Sequence, residues 1–418
     1  MTLSNLEWRG GGAIVGATLC TVLALAQSGS SPVAPLRTAP TEKLTVNPGF
    51  RDWGPTTIVG TTILAGNATN KGGLFAIDTL SGKLKWTSRP TGNVNPQVST
   101  APAVSGDIVI TIMGNTLVAL SLATGKAVWR GPATKQSATV AASSGLVYVL
   151  GDDAHFYALE AATGRERWKK EFRRAGSCHA LPIVRDGTVY VSAMILVRPA
   201  DANRSAEASE HLFALDAHTG EERWRYPEAG SGSACPEQPI VTADTYFGVR
   251  SQALIAVNLA TGRDRWKPVE VRQPVDGRVR GVPVGGLVDA GSVVIGMTPG
   301  SLIAFDKATG QTAWEIVGQY HVGSPSTAVA GRVLYFQGHP GAAATTEDQG
   351  TIVTSGGRPI SNAAALPSGK LNALDLETRT LLWSFSRPTA EPNWPFGFVT
   401  PVDGGLWVDS YQALVKLQ

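Results

Sequence analysis

Leu302-Ile303-Ala304-Phe305-Asp306-Lys307-Ala308-Thr309-Gly310-Gln311-Thr312-Ala313-Trp314 is one copy of a pattern that the chain writes seven times. The copies are Leu74–Trp86, Leu117–Trp129, Phe156–Trp168, Leu212–Trp224, Leu254–Trp266, Leu302–Trp314 and Leu371–Trp383. Each opens on an aliphatic or aromatic residue, places Ala third and a polar residue fifth, and ends on Trp. Before the last four residues stands Thr-Gly, written Ser81-Gly82 in the first copy and Thr378-Arg379 in the seventh. The tryptophans lie 43, 39, 56, 42, 48 and 69 residues apart, which is the signature of a repeat architecture with insertions.

Five residues ending in a polar acceptor, a turn ending in Gly and a short run into Trp describe a β-hairpin. The acceptors Asp78, Ser121, Glu160, Asp216, Asn258, Asp306 and Asp375 suit backbone N–H groups two or three residues on. Glycine supplies a left-handed residue at little steric cost, so Arg379 is expected to strain its turn by about 1 kcal/mol. The small Ala and the large Trp read as packing residues. Trp86, Trp129, Trp168, Trp224, Trp266, Trp314 and Trp383 are therefore expected in the core.

Two further strand-like runs precede each hairpin, as in Pro182–Val184 with Thr188–Val191 and Ser326–Val329 with Arg332–Phe336. Four antiparallel strands, A to D, repeated radially make a β-propeller. After the seventh Trp, Phe398–Val402, Leu406–Asp409 and Ala413–Leu417 supply A, B and C of an eighth unit that lacks D. The expected fold is all-β, an eight-bladed propeller closed by an N-terminal strand at Thr41–Val46. Seven blades with a trailing cap is the alternative.

Composition agrees with this architecture. Glycine (47) and proline (26) are abundant, charged residues make up 17% and hydrophobic residues 43%, which excludes wholesale disorder. A net charge of +3 is too small to direct the chain to nucleic acid.

Arg9 precedes an uncharged stretch whose apolar centre, Ala13–Ala26, ends on Ala24-Leu25-Ala26. Residues 1–26 read as a secretory signal, 27–49 as linker and closing strand, and 50–418 as the propeller. An uncleaved anchor is the other reading, although the run is short for a bilayer span and leaves no span in a mature chain. Leu19 before Cys20 is a poor lipidation context. Cleavage would leave Cys178 and Cys235, each in a Cys-x-x-x-Pro-Ile-Val register, as either a disulfide or two buried thiols.

The Ala-aliphatic-Asp-x-x-Thr-Gly-x-x-x-Trp signature resembles the tryptophan-docking repeat of quinoprotein (PQQ-like) propellers, from about Trp53 onward. That family holds quinone-dependent dehydrogenases and non-catalytic propellers such as BamB, the outer-membrane protein assembly lipoprotein. The dehydrogenases carry an adjacent cysteine pair and a Ca²⁺ site of Glu, Asn and Asp beside a catalytic Asp. This chain has no Cys-Cys pair and no motif placing such a set, so no catalytic, cofactor-binding or metal residue is assigned. The resemblance thus implies a BamB-like, exported, monomeric scaffold without cofactor, periplasmic, envelope-associated or secreted, with an envelope or extracellular protein partner. A PQQ- and Ca²⁺-dependent dehydrogenase and a ligand- or glycan-binding propeller are the alternatives.

In a four-stranded blade the D–A and B–C connections open on one face and the A–B and C–D turns on the other. Both long insertions, Val197–Glu210 and Gln337–Lys370, are B–C, so the D–A/B–C face is the expected binding face. It receives Trp53, Trp394 and Phe396, which read either as an anchor or as packing of the closure seam. Arg272, Arg278 and Arg280 add a local basic strip diluted by Glu270 and Asp276. His155, His179, His211, His321 and His339 fall there without metal-ligand spacing.

Overall fold

The computed structural model describes residues 33–47, 53–67, 72–90, 97–134, 138–172, 182–198, 207–226, 239–250, 253–275, 278–282, 284–298, 301–317, 327–337, 349–354, 366–367, 370–386, 398–409 and 413–418. Every regular element among them is a β-strand. They form eight antiparallel blades: 53–88, 103–133, 140–171, 183–226, 240–270, 285–317, 328–385 and 399–417. The strands of each blade are ordered A-B-C-D, and from blade 2 round to blade 8 neighbouring A strands touch. The eighth blade takes its fourth strand from Glu42–Val46, which pairs antiparallel with Leu414–Leu417. Thr41 N donates to Gln418 O at 2.8 Å and Gln418 N returns to Thr41 O at 3.1 Å. The eight-bladed expectation with an N-terminal closing strand is the one the chain adopts.

The core is eight interfaces, not one centre. In the C strand of blade 6, Leu302 and Ala304 pack toward blade 7, while Ile303 and Phe305 pack toward blade 5. Successive side chains point to opposite sheet faces, and both faces are covered, so C strands read as unbroken apolar runs. The template follows from this period of two. Ala304 lies opposite Trp314 across the C–D ladder, so both face the next blade, and the missing bulk at Ala leaves room for the indole.

Five of the indoles dock on the following blade's turn. Nε1 of Trp86, Trp129, Trp168, Trp224 and Trp266 donates to the carbonyls of Leu122, Ala161, Ala217, Leu259 and Lys307 at 2.8–3.2 Å. The ring lies over the turn glycine: a Cβ on Gly310, which has φ +72°, would stand 2.7 Å from the Trp266 indole. Blade 5 departs from the pattern because Pro268 removes a ladder donor, and its D strand is displaced to Val269–Glu270, beyond Trp266.

At the seam the docks are made from other parts. Where other tryptophans meet a C–D turn, Trp383 Nε1 donates at 3.0 Å to Leu36 O of the strap 33–41. Leu36 N donates to the Tyr335 hydroxyl at 2.7 Å, and Arg37 pairs with the buried carboxylate of Asp375. Between blades 8 and 1, Leu44 stands opposite Lys416 where other blades have Trp opposite Ala. Leu44 packs on Gly82, and Lys416 Nζ donates to Thr79 O at 3.3 Å, the carbonyl position that receives an indole elsewhere. One tryptophan's two tasks are thus divided between two side chains.

Two substitutions check these assignments in equilibrium unfolding. Leu44→Ala is expected to cost about 2 kcal/mol, since it removes half-buried apolar contact from a seam that no indole supports. Arg379, with φ +58°, occupies the turn glycine's place, so Arg379→Gly is expected to gain about 1 kcal/mol.

Candidate binding face

Blade 4 is built differently from its neighbours. Its B and C strands, Thr188–Arg198 and Glu207–Asp216, continue pairing from Thr188↔Asp216 out to Arg198↔Glu207. The D strand pairs only from Leu212 to Leu215, so the outer half of the hairpin stands off the D–A/B–C face. The ladder enters the segment Val197–Glu210, read as a loop insertion, from both sides, at 197–198 and 207–210; Val189, Val191 and Ile195 are strand formers that carry it there.

The hairpin is rooted in an aromatic column. Phe172 and Phe213 ring centroids lie 4.7 Å apart, Phe156 is 6.0 Å from Phe172, and His211 is 5.9 Å from Phe213. The Arg225 guanidinium sits 4.9 Å from the Phe213 centroid, a cation–π contact, and pairs with Glu222. Ile195 packs against the same cluster. Column and ladder together hold the hairpin base rigid.

On the other side of blade 4 a narrow cleft opens toward blade 5, lined by Ser192, Leu212, Tyr226, Tyr246, Arg250 and Ile255. It is narrow enough to admit about one water. Tyr226 OH donates to Asp264 Oδ1 at 2.5 Å and ties the two blades together.

Of the residues singled out in the sequence, Trp53 opens the A strand of blade 1, paired with Asn67. Arg272, Arg278 and Arg280 share one extra hairpin between blades 5 and 6, with Arg278 opposite Val275 and Arg280 opposite Gln273. The exposed Arg272 guanidinium is engaged by Glu270 at 2.9 Å. Trp394, Phe396, Cys178, Cys235, His179, His321 and His339 lie outside the described residues. His155 contacts Asp153 in the B–C turn of blade 3, where Tyr157 OH donates to Asp153 Oδ2 at 2.5 Å. Burial, followed by that carboxylate, pushes Tyr157 up to about 12. The sequence reading missed Phe172, Phe213 and Arg225. They were detectable as an aromatic ending one D strand, an aromatic at the second template position and a cation after the Trp.

The opposite face carries the turns. Asp306 Oδ1 accepts from Ala308 N at 3.0 Å and Thr309 N at 2.9 Å, and Asp216 and Asp375 cap their turns in the same way. The backbone N–H and hydroxyl of Ser81 hold Asp78 down at about 2. The Thr378 N–H, then Arg37, does the same for Asp375, and Arg223 with two turn amides depresses Asp216 strongly.

Rings of four-stranded blades joined by indole-to-turn docks define the class of PQQ-like β-propellers. Within it, the chain belongs to the family described as outer membrane protein assembly factor BamB, whose model matches residues 37–141, 114–269 and 267–393. BamB from Moraxella catarrhalis is similar in fold, with a TM-score of 0.55 at 16% identity over 91% of this chain and 98% of that one. A europium-containing methanol dehydrogenase reaches 0.57 at 14% identity, over 88% and 84% of the two chains. Serine/threonine-protein kinase AfsK from Streptomyces griseus is 30% identical over 189 residues, which span 40% of this chain but 21% of that kinase.

Among the described residues no three His, Cys, Asp or Glu side chains stand close enough together to hold a metal ion, and no two cysteines are adjacent in the sequence. Among the same residues no helix is long and apolar enough to cross a membrane.

The turn carboxylates set an acid limit. Their folded values lie below the usual 3.8, so their stabilisation is complete above about pH 4 and is lost as pH falls toward about 2. Thermal unfolding followed from pH 7 to pH 2 is expected to be level at first and to drop across that window. Asp375→Asn is expected to flatten part of the drop.

Proposed function

We propose that this chain is an exported, non-catalytic scaffold of the cell envelope that binds a protein partner through its D–A/B–C face and acts as a monomer. In this reading residues 1–26 direct export, and 27–49 link the leader to the ring and close it. The observation that carries the proposal is the blade 4 hairpin, which projects from the ring on a base fixed by the Phe156–Phe172–Phe213 column. A rigid β-hairpin presents side chains and open backbone edges with little ordering left to lose on association. Membership of the BamB family along 37–393 supports an assembly role over a catalytic one.

Such a partner is held by complementarity, since the engaged Arg272 and the water-sized cleft offer no anchor for a small ligand. Replacing 196–208 by Asn-Gly keeps the Ile195↔Ser209 pair and removes the projection. Envelope proteins captured by the purified wild-type chain are expected to be lost from this variant at unchanged unfolding temperature. Undiminished capture would overturn the face assignment. Bound-quinone absorbance with dye-linked alcohol oxidation after adding PQQ and Ca²⁺ would overturn the scaffold reading itself.

A further inference from the structure

The rim of the ring holds a feature independent of the hairpin face. Blade 6 has more than four strands. Gln349–Thr354, from the insertion between Gln337 and Leu371 of blade 7, runs antiparallel along its outer strand Thr312–Val317. The pairs are Trp314↔Thr354, Glu315↔Val353, Ile316↔Ile352 and Val317↔Thr351. Leu366–Pro367 then adds a two-residue strand outside it.

Outer strands are blunted on much of the ring. Lys85 stands in that of blade 1, Arg130 and Pro132 in blade 2, Glu166, Lys169 and Lys170 in blade 3, and Glu222, Arg223 and Arg225 in blade 4. Blade 5 is broken beside Pro268, and blade 8 carries Glu42 and Lys43. Charges and prolines of this kind keep foreign strands off a sheet edge. Blade 7, Leu381–Phe385, has no charge. Blade 6 has one, Glu315, and it is turned to its own sheet: the Ser301 hydroxyl donates to Glu315, and Gln273 Nε2 donates to Ser301 at 2.8 Å. An unblunted edge of six residues is a template for pairing, and here it is paired.

The occupant is held by little. Its ladder to blade 6 is four residues long, and the insertion that brings it starts and ends in a different blade. Short peripheral ladders of this kind open locally at far lower free energy than the core. The segment Thr351-Ile352-Val353-Thr354 is β-branched throughout, the composition a pleated edge selects.

We propose that the outer edge of blade 6, Thr312–Val317, is a strand-addition site for an extended, β-branched segment of a protein partner, occupied in this chain by its own Gln349–Thr354. The cis strand acts as a tethered competitor at high effective concentration, so a partner strand gains access by exchange. Because the site lies on the rim, it stands or falls separately from the blade 4 hairpin.

The probe is a fluorescent peptide with the sequence of residues 347–356 of this chain, added to full-length protein. Two variants clear the edge: a Gly-Ser replacement of Gln349–Thr354, and Ile352→Pro, which removes a ladder donor. Both alter residues outside the four strands of any blade, so ring unfolding stays at the wild-type temperature. The expected result is saturable binding to both variants, at least tenfold tighter than to wild type, with slowed hydrogen exchange at Trp314–Val317. Equal binding to wild type and variants, no saturable binding to the variants, or protection elsewhere would overturn the proposal. Shortening the blade 4 hairpin leaves this binding unchanged.

Discussion

The indole resting on the next blade's turn is the contact from which the remaining architecture follows. It fixes three things at once: a large ring facing forward, an alanine opposite it in the ladder, and a turn that offers a bare Cα and a free carbonyl. Each is useless without the others. A larger residue at Ala304 would displace the Trp314 ring, and a side chain at Gly310 would collide with Trp266. Because every dock joins consecutive blades, stability is distributed over neighbour interfaces and not gathered in one centre, as in other repeat architectures. The C–D turns are consumed by this duty. Variation is therefore free to accumulate only on the B–C and D–A connections and on the outer rim.

Closure is where the repeat cannot be copied. A ring must join its last blade to its first, and blade 8 leaves an outer strand and a dock for Trp383 to be filled from elsewhere in the chain. The strap from Val33 to Val46 fills both gaps with different residues. Leu36 supplies the missing carbonyl, Arg37 binds the Asp375 turn, and Leu44 takes the indole's volume while Lys416 provides its donor. These residues are irregular in sequence because their partners are far away in it, and a template search passes over them. Their strand, Glu42–Val46, is short and charged at its start, which suits a piece that has to pair with one edge only.

This difference explains how much could be read in advance. The docks, turns, blade number and closing strand were legible because each repeats or sits at a forced position. Asp306 and Gly310 announce their turn by residue type alone. The candidate face was legible only as a face: strand direction tells which connections share it, but not what they build. Val197–Glu210 looked like loop, since its Ala, Asp, Asn and Ser residues around 200–206 mask the strand formers on both sides. The Phe172–Phe213 contact joins two blades, and no pattern within one blade encodes it. Gln349–Thr354 was invisible for the same reason, because its partner strand belongs to the preceding unit.

The blade 4 hairpin and the occupied rim of blade 6 stand two blades, about 90°, apart around an eight-membered ring. They also differ in direction: the hairpin rises from the loop face, while the blade 7 insertion turns outward onto the rim of blade 6. A single compact partner that used both would have to cover blade 5 and wrap over the edge. An extended chain does this naturally, pairing as a strand at the rim and lying across the face toward the hairpin. Its affinity would come from two weak sites joined by one backbone, so each site can remain short and exchangeable without the assembly being loose.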